Sequence, residues 1–378
     1  MINKTNFAQT KAAFEAWWRH EDIGRPIMCI RAIRERPSGP LEPWVQYKDF
    51  EDLHIGLDYH MVNARNYFRQ RDFMAEGYPC VDFNIGPGSV ATYIGSEPIF
   101  KADTVWYTEC IDDITAYPSF TYDPENYWWK KHLSVIKAAR EAAGEDFFIN
   151  IPDLIENIDI VAALRGPQNT CYDLMDWPEH VGRLIKSVDD IYFTYYDAIY
   201  DVIKLPDPEK PGGWISSYTA FRILGEGKTA KVQCDFCAML SPEQFRHFIV
   251  PSLTKQCRQL NHSLYHLDGR DCVKHLDALL GVEELQGIQW TPGAGQPDAA
   301  SEQWFPIFDR VKAAGKSMFV DVYDGGPEDW ANATRKFVKR YGPAGVYMLY
   351  PDMTREQAEA VMRAGEGTSG QWPVVSSQ

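Results

Sequence analysis

Nine short β-rich runs recur along the chain, most followed by a stretch of helical periodicity: PIMCIR (26–31), CVDFNI (80–85), FFINI (147–151), WISSYT (214–219), KVQCDF (231–236), SLYHLD (263–268), GIQWTP (287–292), SMFVDV (317–322) and GVYMLY (345–350). Strands alternating with helices over short connections are the pattern of βαβ units, and they predict a parallel sheet. The alternation is clearest in the second half. A length of 378 residues suits one large α/β barrel as well as it suits two average domains. The expected fold is therefore α/β, a (β/α)8 TIM barrel with an N-terminal helical extension. One domain is expected over residues 1–365, followed by a loosely ordered C-terminal tail over 366–378. Nine runs exceed the eight strands of such a barrel by one, and 214–219 is expected to lie outside it or only partly in it.

Helix starts can be placed by their chemistry. Ser241-Pro242-Glu243-Gln244 and Thr354-Arg355-Glu356-Gln357 both have a hydroxyl followed three residues later by a glutamine, the reciprocal pairing of a capping box. WPEHVGRLIKSVDDIYFTYYDAIYDVIK (177–204) predicts a long amphipathic helix beginning at Pro178, its aromatic stripe serving as packing. The turn-rich LPDPEKPGGW that follows is expected to be a loop within one domain, because the strand and helix rhythm resumes at once.

The balance of Lys+Arg 38 against Asp+Glu 53 gives a net charge of −15, which opposes the attraction that nucleic acids and anionic membranes need. No window approaches the apolar length of a membrane span or a signal peptide, so a cytoplasmic protein is expected. The eight cysteines are then expected to be reduced thiols. Cys234 and Cys237 form a CxxC in a strand-like run, where residues three apart point to opposite faces, so a shared metal is not expected there. GAGQP lacks the third glycine of a dinucleotide fingerprint, and NAD is not expected. Gly86-Pro87-Gly88-Ser89 could offer backbone amides to an anion but has no P-loop lysine.

In a parallel barrel the strand C-termini and the loops after them form the active site. Those positions carry Arg31, Asn84, Asp153, Asp235, His266 with Asp268, Gln289 with Trp290, Asp321 with Tyr323, and Asp352. Residues two apart on a strand share a face, so His266 and Asp268 can address one point while Leu267 faces the helices. A neutral imidazole and a carboxylate can bind zinc or a similar ion, or move a proton. An Asx turn at Asp268-Gly269 is the alternative. Asp235 is expected to join them as a catalytic group. Arg31, Asn84, Asp153, Gln289 and Tyr323 are expected to bind substrate, and Trp290 to form an apolar wall.

The order of DFCAMLSPEQFRHFIVPSL (235–253), SLYHLDG (263–269) and GIQWTPGAGQP (287–297) resembles the uroporphyrinogen decarboxylase-like superfamily, as do GPGSVATYIGSE (86–97) and DIVAALRGP (159–167) more loosely. The resemblance covers roughly Arg25 to Arg363 and implies a (β/α)8 barrel with one site at the strand C-termini. In the zinc-dependent methyltransferases of that superfamily a strand-end HxC and a later cysteine hold the metal, which activates a thiol toward a corrinoid-bound methyl group. Here His266 matches the histidine, Asp268 stands in place of the cysteine, and YMLYPDMT (347–354) has no late cysteine. IRAIRERP (30–37) keeps only Arg31 of the arginine-rich motif of the true decarboxylases. The resemblance thus implies a methyltransferase acting with a corrinoid carried by a partner protein, or on a small methylated compound, with His266 and Asp268 as metal ligands. The alternatives are a cofactor-independent decarboxylase or lyase using Asp235 and Arg31, and a ligand-binding barrel without chemistry. A homodimer fits the aromatic helices.

Overall fold

The structure, a computed structural model, describes residues 4–366. Six of the eight strands of its central sheet are β1 (Ile27–Ile33), β2 (Thr229–Gln233), β3 (His262–Asp268), β4 (Gly287–Thr291), β5 (Ser317–Asp321) and β6 (Val346–Leu349). They pair in parallel in the order β2-β3-β4-β5-β6-β1. Each connection from β2 onward carries helical structure, as βαβ geometry requires.

The closed barrel expected from the strand count is not found, because the hydrogen-bonded ladder does not return on itself. The free edge of β1 is taken by an antiparallel strand, Arg71–Ala75, along Cys29 to Ile33. Cys80–Val81 and Phe148–Ile149 pair with each other in a separate parallel sheet. Trp214–Tyr218 lies in an antiparallel sheet with Leu205–Pro206 and Ile223–Glu226, and Tyr218 bridges in parallel to Ile151, just past Phe148–Ile149. That strand lies outside the central sheet. The fold is mixed α/β with a mostly parallel central sheet.

Both capping boxes form, at Ser241 and at Thr354. The long helix spans Pro178–Ile203, and its tyrosines are buried: Tyr192 stacks on Tyr196, and Tyr196 on Tyr200, at 6.1 and 6.2 Å. The tyrosine stripe is thus packing, as the period of four suggests. The helix Arg355–Gly365 ends the described chain, so the expected tail lies outside the described residues except for Glu366. No described helix is long and apolar enough to cross a membrane.

The N-terminal helix Phe7–Trp18 closes the end of the sheet opposite the polar strand ends. Trp17 donates its indole N–H to the Gly345 carbonyl, just before β6, at 3.2 Å. The Ser317 hydroxyl at the start of β5 returns a bond to the Trp17 carbonyl at 2.8 Å. Trp18 donates to the Leu224 carbonyl at 2.8 Å. On the same helix the buried Lys11 ammonium sits among Glu15 (2.7 Å), Asp207 (3.0 Å) and Glu226 (3.2 Å), joining the helix to the antiparallel hairpin. Removing one partner of a buried cluster leaves the others uncompensated. Lys11→Met is expected to cost about 3 kcal/mol in urea unfolding, and adding Asp207→Asn should recover part of that loss; an unchanged midpoint in the single variant would show that the cluster does not anchor the helix.

Candidate active and metal site

The in-register pairing of β2 to β5 decides which side chains meet. Gln233, His266 and Gln289 are direct neighbours across β2, β3 and β4, with Phe319 next on β5. Two residues further along lie Asp235, Asp268, Thr291 and Asp321. The period of two keeps each such pair on one face, so the polar strand ends stack in two tiers.

Gln289, fully buried, orders the centre. Its amide nitrogen donates to the Thr291 hydroxyl at 2.7 Å and to Asp321 at 3.2 Å, which turns its carbonyl oxygen toward Nδ1 of His266. An oxygen can only accept, so Nδ1 carries the proton and Nε2 presents a lone pair. Burial, and then the nearby Lys231 ammonium, hold the His266 pKa below its ordinary value, which keeps the ring neutral. Nε2 lies 3.9 Å from Asp268 Oδ2. Burial also raises the Asp321 carboxyl to about 7.

Asp268 accepts no hydrogen bond from any described residue, and the amide of Gly269 donates instead to the Thr291 carbonyl at 2.9 Å. The Asx turn is therefore absent, and the carboxylate faces the recess. Asp235 opens the loop after β2, where its backbone amide and that of Phe236 are held by the two oxygens of Asp159, each at 2.8 Å. Donor atoms of Asp235, His266 and Asp268 all lie within 4.8 Å of one another. One neutral nitrogen and two carboxylates suit zinc or a similar divalent ion and leave positions open for another ligand. The residues present thus fit a metal, with Asp235 as the third donor.

Beneath this cluster Lys231, 1% exposed at its side chain, pairs with Asp153 at 2.7 Å and donates to the Gln233 carbonyl oxygen. The amide nitrogen of Gln233 in turn donates to Asp235 at 2.9 Å. A relay of hydrogen bonds therefore runs from Asp153 through Lys231 and Gln233 to Asp235. Asn84 organises the loop bearing Asp153: its oxygen accepts from the Asp153 amide at 2.8 Å, and its nitrogen donates to Thr219 at 3.1 Å. Asn84 and Asp153 are thus both engaged by partners within the chain.

Other expected site residues lie elsewhere. Arg31 pairs with Asp352 at 2.7 Å and donates to the Tyr350 carbonyl at 2.7 Å, while Asp352 is also held by Arg71 and Tyr67. That guanidinium is therefore paired within the chain. Trp290 does not form an apolar wall of the site. It alternates with Gln289 on β4, so it points to the helix layer, fully buried, with its ring 5.3 Å from Trp304. Tyr323 sits half exposed on the loop after β5, its backbone amide held by Asp298, and does not join the cluster.

Lys231, Gln233 and Phe221 were not among the expected site residues. The first two were legible as Lys231-x-Gln233-x-Asp235, one face of a strand. Phe221, whose ring lies 5.1 Å from His266, comes from the hairpin outside the sheet and has no such signal.

No family model and no curated protein matches the chain. Among solved structures it is similar to a methyltransferase from Methanosarcina mazei, with a TM-score of 0.59 and 13% identity, over 94% of this chain and 98% of that one. At that identity the likeness concerns the fold.

Glu156 and Asp159, on the segment that braces β2, are raised by burial to about 8 and about 7. A carboxyl raised on folding adds stability that is complete below its unfolded value and is lost as the pH climbs through its folded one. Glu156→Gln, which keeps an acceptor for the Gln233 amide (2.6 Å) and cannot ionise, should leave the melting temperature little changed at pH 5. By pH 9 it should raise it by about 2–4 °C. An equal effect at both values would mean that Glu156 is not protonated in the folded state near neutral pH.

Proposed function

We propose that the chain is a metal-dependent methyltransferase related to the uroporphyrinogen decarboxylase-like superfamily, moving a methyl group between a small compound and a corrinoid carried by a partner protein. In this reading the sheet corresponds to the (β/α)8 barrel of that superfamily with its ladder interrupted, and the site lies at the strand C-termini. The observation that carries the proposal is the fixed tautomer of His266, its bare Nε2 directed toward two carboxylates. The fold likeness to a methyltransferase supports the same class.

His266, Asp268 and Asp235 would hold the metal, which when bound lowers the pKa of a coordinated nucleophile. The chain's own groups do the rest. Gln289 keeps the proton on Nδ1, so Nε2 keeps its lone pair. Burial, and then Lys231, keep the ring from taking a second proton. Gln233 orients Asp235, and Phe221 covers the imidazole and excludes water from one side. Oxygen donors in place of thiolates leave a bound ion more electron-poor, which favours a harder nucleophile than the superfamily's thiolate-rich sites.

Two measurements test the reading. The purified protein should bind about one zinc per chain. Affinity should fall about 10–100-fold in Gln289→Leu, where the ring loses its orienting partner, and His266→Ala should abolish stoichiometric binding. With methylcobalamin as the corrinoid and a panel of small thiols or alcohols as acceptors, methyl transfer should require the metal and disappear in His266→Ala. Transfer indifferent to chelators, or full retention of metal and activity in His266→Ala, would overturn the proposal.

A further inference from the structure

The chain also builds a recess, lined by none of the residues of the His266 cluster, whose chemistry is that of a carboxylate receptor. It is a cavity of about 680 Å3, within the range of small-molecule sites, and Arg222 reaches into it. Among the described residues no carboxylate pairs with Arg222, and its guanidinium makes one side-chain contact, from Nη1 to the sulfur of Cys80 at 3.4 Å. A guanidinium has five N–H donors, and Arg222, partly buried, leaves most of them open to an acceptor in the cavity. Arg31 pairs with the carboxylate of Asp352 and also donates to the Tyr350 carbonyl; Arg222 has no such carboxylate partner among the described residues.

The backbone shows the same bias. Arg222 has a φ of +50°, a conformation unfavourable for a bulky side chain. It is held there by its own amide, which donates to the Thr219 carbonyl at 2.9 Å, and by Tyr347, which donates to the Arg222 carbonyl at 2.9 Å. Strain maintained by surrounding bonds around an unmatched charge is a feature of ligand sites.

The walls are aromatic. Trp44, Tyr47, Tyr59 and Phe68 line the cavity, and Trp44 and Tyr47 are 52% and 42% exposed at its rim. The segment bearing Trp44 has no regular secondary structure, yet it is fastened. Asn66 exchanges two hydrogen bonds with the peptide of Glu42 (2.9 and 2.8 Å), and Asn63 does the same with Val45 (3.0 and 2.8 Å). Opposite charge is limited: Asp82, held by Asn150 at 2.7 Å, also lines the cavity and would repel a second anionic group.

We propose that this cavity binds a small monocarboxylic acid with a flat apolar body, the carboxylate on Arg222 and the ring against the aromatic wall. A bidentate arginine and carboxylate pair gives the site its direction. The site does not depend on a metal at His266.

Calorimetric titration with benzoate, benzyl alcohol and phthalate tests the assignment. Benzoate should bind one to one, with benzyl alcohol and phthalate each at least roughly tenfold weaker, the first lacking the charge and the second meeting Asp82. Arg222→Met should weaken benzoate by roughly tenfold or more, with Arg222→Lys between it and the native protein. The comparison among the three ligands on the native protein stands even if a variant fails to fold. Benzoate binding no tighter than benzyl alcohol, phthalate binding as tight as benzoate, or an Arg222→Met protein that binds benzoate undiminished, would overturn the proposal. His266→Ala should lose zinc and keep benzoate, so failure of the metal reading and failure of this one are read separately.

Discussion

The orientation of one buried amide governs the site. Gln289 is held by Thr291 and Asp321 through its nitrogen, so only its oxygen is left for His266, and the imidazole has one tautomer open to it. Had the amide been free to flip, either ring nitrogen could carry the proton and neither would be a dependable ligand or base. The residues that fix it are not themselves reactive. They matter because a site needs its donors aimed before anything arrives, and a buried amide with all its partners satisfied is a stiff support.

That arrangement depends in turn on parallel register. Side chains two apart on β2, β3, β4 and β5 fall into two tiers, and direct pairing across the strands sets Gln233, His266 and Gln289 shoulder to shoulder. A slip of one residue would send Leu267 and Trp290 into the recess and His266 and Gln289 into the helix layer. The apolar alternates, both fully buried, are what forbid the slip. Packing on one face thus secures chemistry on the other.

Much of this was readable before any coordinates. The βα rhythm located β1 to β6 closely, the two capping boxes form where the hydroxyl and glutamine spacing put them, and His266 and Asp268 share a face because the strand period demands it. The strand-to-strand ladder in the first half was not legible. CVDFNI and FFINI narrow to two-residue strands, and an antiparallel strand at Arg71–Ala75, in a stretch with no β-rich signal, occupies the edge of β1. Trp290 stands at a strand end as expected, but it alternates with Gln289 and so falls on the helix-facing side. Arg31 looked available because its partner Asp352 is more than three hundred residues away in sequence, and Arg222 went unnoticed because nothing local marks an arginine whose partner is missing.

In the proposed function an oxygen-and-nitrogen donor set, with Asp268 where a thiolate stands in the resembling methyltransferases, would hold a divalent ion at His266. X-ray absorption at the zinc edge of the zinc-loaded protein tests it most directly. The account requires a first shell of nitrogen and oxygen at about 2.0–2.2 Å, including one imidazole, and no sulfur shell near about 2.3 Å. A sulfur shell, or a spectrum without imidazole, would contradict it.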